Sequence, residues 1–248
     1  MRNLRWIAVY AVVLLCTGVA AGVSSAAPVS PVSLQINVDG VEAGTYDESQ
    51  IGCAAGSGDS FHCTGTSQFG GQYGMNMTWD MTFDSDPVIS GITAVTNLSG
   101  SPQQFTLIFT LPTTVAPSSL MGGGVQGGVT DLTGDGATIS APTGSALYTA
   151  LIDNVLSQQA IYSDPFSYTE PNAFQNSNFT SQNWGTPIPS APGPAVATNI
   201  RIKLDFVLTG NDSASITSNF VVVVPEPGPG LLLAFGIGVL ALRRRVVR

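Results

Sequence analysis

Residues 75–84 read MNMTWDMTFD, and this stretch decides the fold class. Apolar and polar residues alternate through all of it, which is the period of a β-strand, whose successive side chains point to opposite faces. One face of the strand is therefore predicted to enter a core and the other to meet water. The inward set is Met75, Met77, Trp79, Met81 and Phe83, and the outward set is Asn76, Thr78, Asp80, Thr82 and Asp84.

The same alternation recurs on the C-terminal side of this strand. Residues 105–111 are predicted to pair with residues 88–98 as a hairpin, because the Ser-Gly-Ser-Pro between them is typical of a turn. Residues 200–208 and 216–224 are predicted to form a second hairpin around Gly-Asn-Asp. The weaker candidate strands are residues 34–38 and a glycine-rich pair within residues 124–139.

These patterns add up to about eight strands with antiparallel connections, which favours a mainly β domain: an antiparallel β-sandwich or a jelly-roll-like fold. Two segments break the pattern. Apolar residues recur at helical spacing through residues 147–156, which predicts one short helix. Residues 163–194 are rich in Pro, Asn and Ser without any period, which predicts a long surface loop.

Residues 1–27 have the layout of a secretory signal peptide. Two arginines precede an apolar run at residues 6–16, and small residues follow. Cleavage by signal peptidase is expected near Ala26 or Ala27. The exported β-rich domain is then predicted to span residues 28–224.

Residues 225–248 read PEPGPGLLLAFGIGVLALRRRVVR. The Pro-Glu-Pro ends the strand-like run before it, since proline fixes φ and lacks an N–H. Residues 230–242 carry no charge and predict an apolar transmembrane helix, shorter than the roughly 20 residues that cross a bilayer comfortably. A basic tail follows at residues 243–248. The segment is typical of a temporary membrane anchor, with an ordinary C-terminal anchor as the alternative.

This ending resembles the PEP-CTERM sorting signal of Gram-negative bacteria. In that family exosortase, a membrane protease, recognises the signal and removes the tail. The resemblance implies an exported surface or extracellular-matrix protein, associated with exopolysaccharide or biofilm, that is anchored transiently and then released. The motif is also named the ice-binding protein C-terminal domain, a wording that implies no ice binding here. The residues that match the family's pattern are Pro225, Glu226, Pro227, Arg243, Arg244 and Arg245.

Charge is distributed very unevenly along the chain, which has 8 basic and 16 acidic residues. Arg201 and Lys203 are the only bases within residues 28–224, and Glu226 is the only acid outside them, so this region holds 15 acids against 2 bases, a formal charge of −13. The basic ends favour the cytoplasmic side and leave the acidic middle outside. Such a domain repels phosphate, which excludes nucleic acid as a partner, whereas cations and neutral polysaccharides remain compatible.

Cys53 and Cys63 flank a glycine-rich stretch, and they are predicted to form a disulfide because an exported domain lies in an oxidising compartment. The alternative is a metal site shared with His62, the only histidine, but no nearby motif supplies a fourth ligand.

Calcium is the one cofactor that the acidic residues suggest. Asp80, Asp84 and Asp86 lie on the wet side of one strand and at its end, and Asp131 and Asp135 flank a Leu-Thr-Gly turn. Calcium favours several such oxygens together, but neither group matches an EF-hand loop or a calcium-binding repeat. Solvated acids on an acidic domain are the alternative.

No catalytic motif is present, since neither Gly-x-Ser-x-Gly nor His-Glu-x-x-His occurs. Glu42, Glu48 and Glu170 are the exported glutamates, and none lies in a pattern that points to a glycosidase. We therefore expect no enzyme, with a carbohydrate-binding module as the alternative and a secreted hydrolase as the third hypothesis. The aromatic residues proposed for sugar binding are Tyr168, Phe174 and Trp184.

Overall fold

The structure, a computed structural model, describes residues 32–56, 60–69, 73–113 and 119–223. Within these ranges the chain is mainly β and contains no helix long and apolar enough to span a membrane. The predicted signal peptide at residues 1–27, with Ala26 and Ala27, lies outside the described residues, as does the predicted sorting signal at residues 225–248.

The strands of the described residues are β1 (Ser33–Val38), β2 (Val41–Asp47), β3 (Cys53–Ala55), β4 (Ser60–Phe69), β5 (Met75–Asp84), β6 (Val88–Asn97), β7 (Gln103–Pro112), β8 (Ser119–Thr130), β9 (Ala137–Ser140), β10 (Ala146–Ile152), β11 (Val155–Ser163), β12 (Ser167–Glu170), β13 (Asn176–Trp184), β14 (Ala191–Gly193), β15 (Asn199–Leu208) and β16 (Ser213–Val223).

These strands form two antiparallel sheets, consistent with the predicted β-sandwich. The first sheet has the order β11-β10-β15-β7-β1-β2, and β9 joins β15 and β12 at its side. The second sheet has the order β13-β8-β16-β6-β5-β4-β3, and β14 pairs with β8.

The strand that decides the fold class, β5, alternates as its sequence predicts. All five of its apolar side chains are buried, whereas Thr78 and Asp80 are exposed. Each large apolar side chain buried in this way contributes about 1.5–3 kcal/mol. The Nε1 of Trp79 donates a hydrogen bond of 2.8 Å to the carbonyl of Ile51, so the polar atom of this buried ring is satisfied.

The predicted hairpins are wrong, because β6 and β7 lie in different sheets, as do β15 and β16. Instead β7 pairs with β15 and β6 pairs with β16. Alternation shows which side of a strand is buried but not which strand lies beside it. The connections 98–102 and 209–212 bridge the roughly 10 Å between packed sheets. We call these two connections the arches and their end of the sandwich the arch end. The strands predicted as a pair within residues 124–139, β8 and β9, are likewise in different sheets.

The helix predicted at residues 147–156 is also wrong, since this segment is β10, β11 and the tight turn between them. Asp153 and Asn154 form the turn, with φ angles of 50° and 65°, as a two-residue hairpin turn requires. Tyr148 faces the core, whereas Leu151 lies on the opposite face and is half-buried. Apolar residues on both faces of one strand produced a spacing that mimics a helix.

The loop predicted at residues 163–194 contains the nine-residue strand β13 and two short strands, β12 and β14, so this prediction is wrong as well. Its polar composition reflects edge positions, where many side chains meet solvent. β13 packs closely on the glycine-rich β8. A Cβ on Gly127 would lie 2.6 Å from the ring of Phe179, so glycine at this position admits the aromatic ring.

Both ends of the described domain lie opposite the arch end. In the first sheet Ser33 pairs with Thr110, and β1 approaches the arch end only at Val38. In the second sheet β16 begins at Ser213 beside an arch and runs away from it to Val223. The chain before β1 and the chain after β16 therefore start from the same end, which we call the exit end.

Asn97 joins the two arches. Its side chain is fully buried, and its Nδ2 donates to the carbonyl of Ser101 in one arch at 2.9 Å. The same nitrogen lies 3.1 Å from the carbonyl oxygens of Leu208, at the end of β15, and of Thr209 in the other arch, so its two hydrogens are shared among three acceptors. Its Oδ1 accepts the amide of Ser99 at 2.9 Å. One side chain thus satisfies backbone groups of both arches.

Replacing Asn97 with alanine should lower the free energy of unfolding by about 2–3 kcal/mol, because the loss of its two Nδ2 hydrogens, which three carbonyls share, and of its Oδ1 acceptor costs about 1 kcal/mol for each hydrogen bond. Asn97→Asp should cost at least as much, since a carboxylate would face those carbonyl oxygens. Urea unfolding followed by tryptophan fluorescence measures both. Asn183→Ala, which removes an exposed asparagine, is the control and should change stability by no more than about 0.5 kcal/mol. A loss below about 1 kcal/mol in both Asn97 variants would contradict this role.

Candidate functional site

The structure confirms the predicted disulfide. Cys53 of β3 and Cys63 of β4 lie directly opposite each other and are bonded. Cys63 is buried in the core, whereas the neighbouring His62 is exposed. The Nε2 of His62 lies 2.7 Å from Oδ1 of Asp80 on β5. The two cysteines and the histidine therefore do not converge on a metal.

The first group of predicted calcium ligands does not come together. Asp80 contacts His62, and Asp84 accepts the backbone amide of Asp86 at 3.0 Å. Asp80 and Asp84 are four residues apart on one strand, a span of roughly 13 Å. Among the described residues, none of these three aspartates belongs to a group of acids that could share a metal ion.

Three other aspartates do converge, at the arch end. One carboxylate oxygen each from Asp131, Asp135 and Asp212 lies within 4.8 Å of the other two. We call them the aspartate cluster; Asp131 and Asp212 are buried and Asp135 is exposed. The sequence pattern points to Asp131 and Asp135 but misses Asp212, because Asp212 is distant in sequence and belongs to the second arch.

Backbone amides hold the carboxylate of Asp131. Its Oδ1 accepts from the amides of Thr133 at 3.0 Å and Gly134 at 2.8 Å, and its Oδ2 accepts from the amide of Phe174 at 2.9 Å. Burial by itself raises the pKa of Asp131, but these hydrogen bonds outweigh it, and the pKa lies below its ordinary value. Asp131 therefore stays ionised and ties two loops together.

The pKa of Asp212 is shifted in the opposite direction. Burial raises the pKa of Asp212, and the negative charges of Asp131 and Asp135 raise it further. Hydrogen bonds from the hydroxyl of Thr209 and the amide of Leu132 oppose the shift without cancelling it. The cluster can therefore retain a proton on Asp212 or lower its repulsion by taking up a cation, for which its oxygen ligands suit calcium.

Glu170, which lies near the aspartate cluster, is held by hydrogen bonds from Asn172. Its Oε1 accepts the backbone amide and the side-chain Nδ2 of Asn172, both at 2.7 Å. The hydrogen bond from the backbone amide of Asn172 is the main cause that lowers the pKa of Glu170. The general acid of a glycosidase needs the opposite shift, so Glu170 does not suit that role.

The aromatic residues predicted to bind sugar do not form a row. Trp184 is buried and packs against Phe220 with ring centroids 6.0 Å apart, and its burial counts against a role in binding. Tyr168 is half-buried and packs on Phe179 at 5.7 Å, with its hydroxyl bonded to a backbone carbonyl. Phe174 alone of the three is exposed, with 67% of its surface in solvent.

A comparison with models of known protein families found no match for this chain, and a comparison with curated proteins found none either.

Replacing Asp212 with asparagine should raise the melting temperature at neutral pH, because it removes a charge that the fold disfavours. An acid whose pKa is raised on folding stabilises below its unfolded pKa and loses that contribution as pH rises through the folded value. The gain should therefore shrink as the pH falls through the raised pKa of Asp212 toward its unfolded value of about 4, and it should be absent below that value. Calorimetry from pH 3 to pH 8 in a chelating buffer measures it, and a variant that melts lower than the wild type at neutral pH would contradict the argument.

Calcium should raise the melting temperature of the wild type and raise that of Asp212→Asn less, because the variant offers one negative ligand fewer. Asp80→Asn is the matched control and should respond to calcium as the wild type does. If calcium leaves the melting temperature of the wild type unchanged, the sequence-based expectation of a calcium site is rejected for both groups of aspartates.

Proposed function

We propose that this chain is an exported surface or extracellular-matrix protein of a Gram-negative bacterium, without catalytic activity and associated with exopolysaccharide or biofilm. Signal peptidase removes residues 1–27. The C-terminal helix then holds the β domain at the inner membrane until an exosortase-type protease cleaves near Pro225-Glu226-Pro227 and releases it to the cell surface or medium.

The sequence of residues 225–245 carries this proposal. It combines a Pro-Glu-Pro tripeptide, a short uncharged apolar run and three consecutive arginines in that order. A helix of this length fits a thinned bilayer and suits temporary better than permanent anchoring. The arginines suit the cytoplasmic side, which leaves the acidic domain outside.

Three features of the domain support the same proposal. The last described strand ends at Val223, two positions before the Pro-Glu-Pro tripeptide in the sequence. The chain enters and leaves the domain at the exit end, so both targeting segments would reach the membrane from one side. The bond between Cys53 and Cys63 suits an oxidising compartment.

The chain passes repeatedly between the two sheets, which supports the jelly-roll-like variant of the predicted fold.

A carbohydrate-binding role is the second candidate, and the exposure of Phe174 favours it. A secreted hydrolase is disfavoured, because the carboxylates of Asp131 and Asp212 are buried, which keeps them from direct contact with a substrate.

Mass spectrometry of the secreted protein's C-terminus tests the sorting proposal. We expect the protein in the outer fraction to end near residues 225–227, and the double variant Pro225→Ala, Pro227→Ala to keep its tail and stay with the membrane. Pro229→Ala lies in the same linker outside the tripeptide and should be processed normally. Protein in the outer fraction with an intact tail ending at Arg248 would overturn the proposal.

A further inference from the structure

The aromatic side chain of Phe174 is exposed to solvent. Among the large apolar side chains of the described residues it is the most exposed, at 67%. Its φ is 57°, in the left-handed region that non-glycine residues rarely adopt. A ring that stays mostly in solvent gains little from burial, and non-glycine residues with a left-handed backbone concentrate at functional sites.

The ring is nevertheless fixed in place. The amide of Phe174 donates to Oδ2 of Asp131, and the amide of Gly134 donates to Oδ1 of the same residue. The ring rests on Gly134, where an added Cβ would lie 2.8 Å from two of its carbons. In addition, the amide of Asp131 donates to the carbonyl of Gln175 at 3.0 Å. One buried carboxylate thus orients both the aromatic residue and the glycine beneath it.

We propose that Phe174 is a stacking platform for a neutral polysaccharide. The C–H face of a pyranose ring is apolar and packs on an aromatic ring, while its hydroxyls need polar partners nearby. In the turn beneath the ring, the exposed carboxylate of Asp135 supplies an oxygen acceptor, and the hydroxyl of Thr133, which donates to Oδ1 of Asp135 at 2.5 Å, supplies an acceptor oxygen as well. Leu132, 48% exposed in the same turn, extends the apolar surface.

The charge around the platform selects a neutral polymer. The aspartate cluster lies directly beneath Phe174 through Asp131, and no base is part of it. A polyanion would meet this negative potential together with that of the whole acidic domain. A polymer without charge avoids this repulsion.

The position of Phe174 agrees with this role, and here the inference rests on the proposed function. Phe174 is at the arch end, and a ten-residue strand separates the arch end from the exit end by about 33 Å. In a protein held at the membrane through its C-terminal segment, the platform would face away from the bilayer and toward the extracellular polymer.

Affinity electrophoresis of the full-length protein in non-ionic detergent tests the platform. The gels contain a soluble β-glucan, dextran or hydroxyethyl cellulose, and alginate serves as the polyanion. We expect at least one neutral polymer to retard the wild type and alginate not to. Phe174→Ala should weaken binding about tenfold, and Phe174→Trp should retain it. Ile92→Ala removes another exposed apolar side chain, on the second sheet, and should bind as the wild type does.

A second readout uses the Phe174→Trp variant, whose fluorescence should shift to the blue when the bound polymer covers the new indole. The inference is overturned if no neutral polymer binds, if Phe174→Ala binds as well as the wild type, or if alginate binds best. Removal of the C-terminal tail does not involve Phe174. Normal processing combined with failed sugar binding would therefore reject the platform and leave the sorting proposal intact.

Discussion

The side-chain amide of Asn97 lies where the two arches meet and bonds to backbone carbonyls of both. The backbone of Asn97 adds to the junction, because its amide donates to the carbonyl of Asp212 at 2.9 Å. The arches are also in close contact, since a Cβ on Gly210 would lie 2.6 Å from the backbone of Gly100. These contacts fix the position of one sheet relative to the other at the arch end. They also give hydrogen-bond partners to backbone groups that would otherwise lack them.

This junction also determines which side chains lie together at the arch end. It places Asp212 within reach of Asp131, so that acids distant in sequence share one small volume. Asp131 in turn orients Phe174 above Gly134. The unusual features of the molecule, a repulsive acidic cluster and a fixed aromatic ring in water, thus lie together at the end opposite to the one where the chain enters and leaves.

Features that depend on the local pattern of residues are predictable from this sequence. Alternation in residues 75–84 predicted a strand with one buried face, and the compartment argument predicted the bond between Cys53 and Cys63; both are confirmed. The pairing of strands that are distant in the chain was predicted wrongly, because the composition of the two arches is also typical of hairpin turns. For the same reason Asp212 was missed, and the turn at Asp153 was hidden by apolar residues on both faces of one strand.

Hydrogen exchange followed by NMR tests most directly whether Asn97 makes the arch end rigid. The amides of Leu98, Asn211 and Phe174 lie in connections between strands, yet each donates a hydrogen bond within the protein. We expect them to exchange almost as slowly as amides in the central β7, and to lose this protection in Asn97→Ala. Fast exchange of all three in the wild type, at the rate of an exposed loop, would contradict a rigid arch end and with it a fixed position for Phe174.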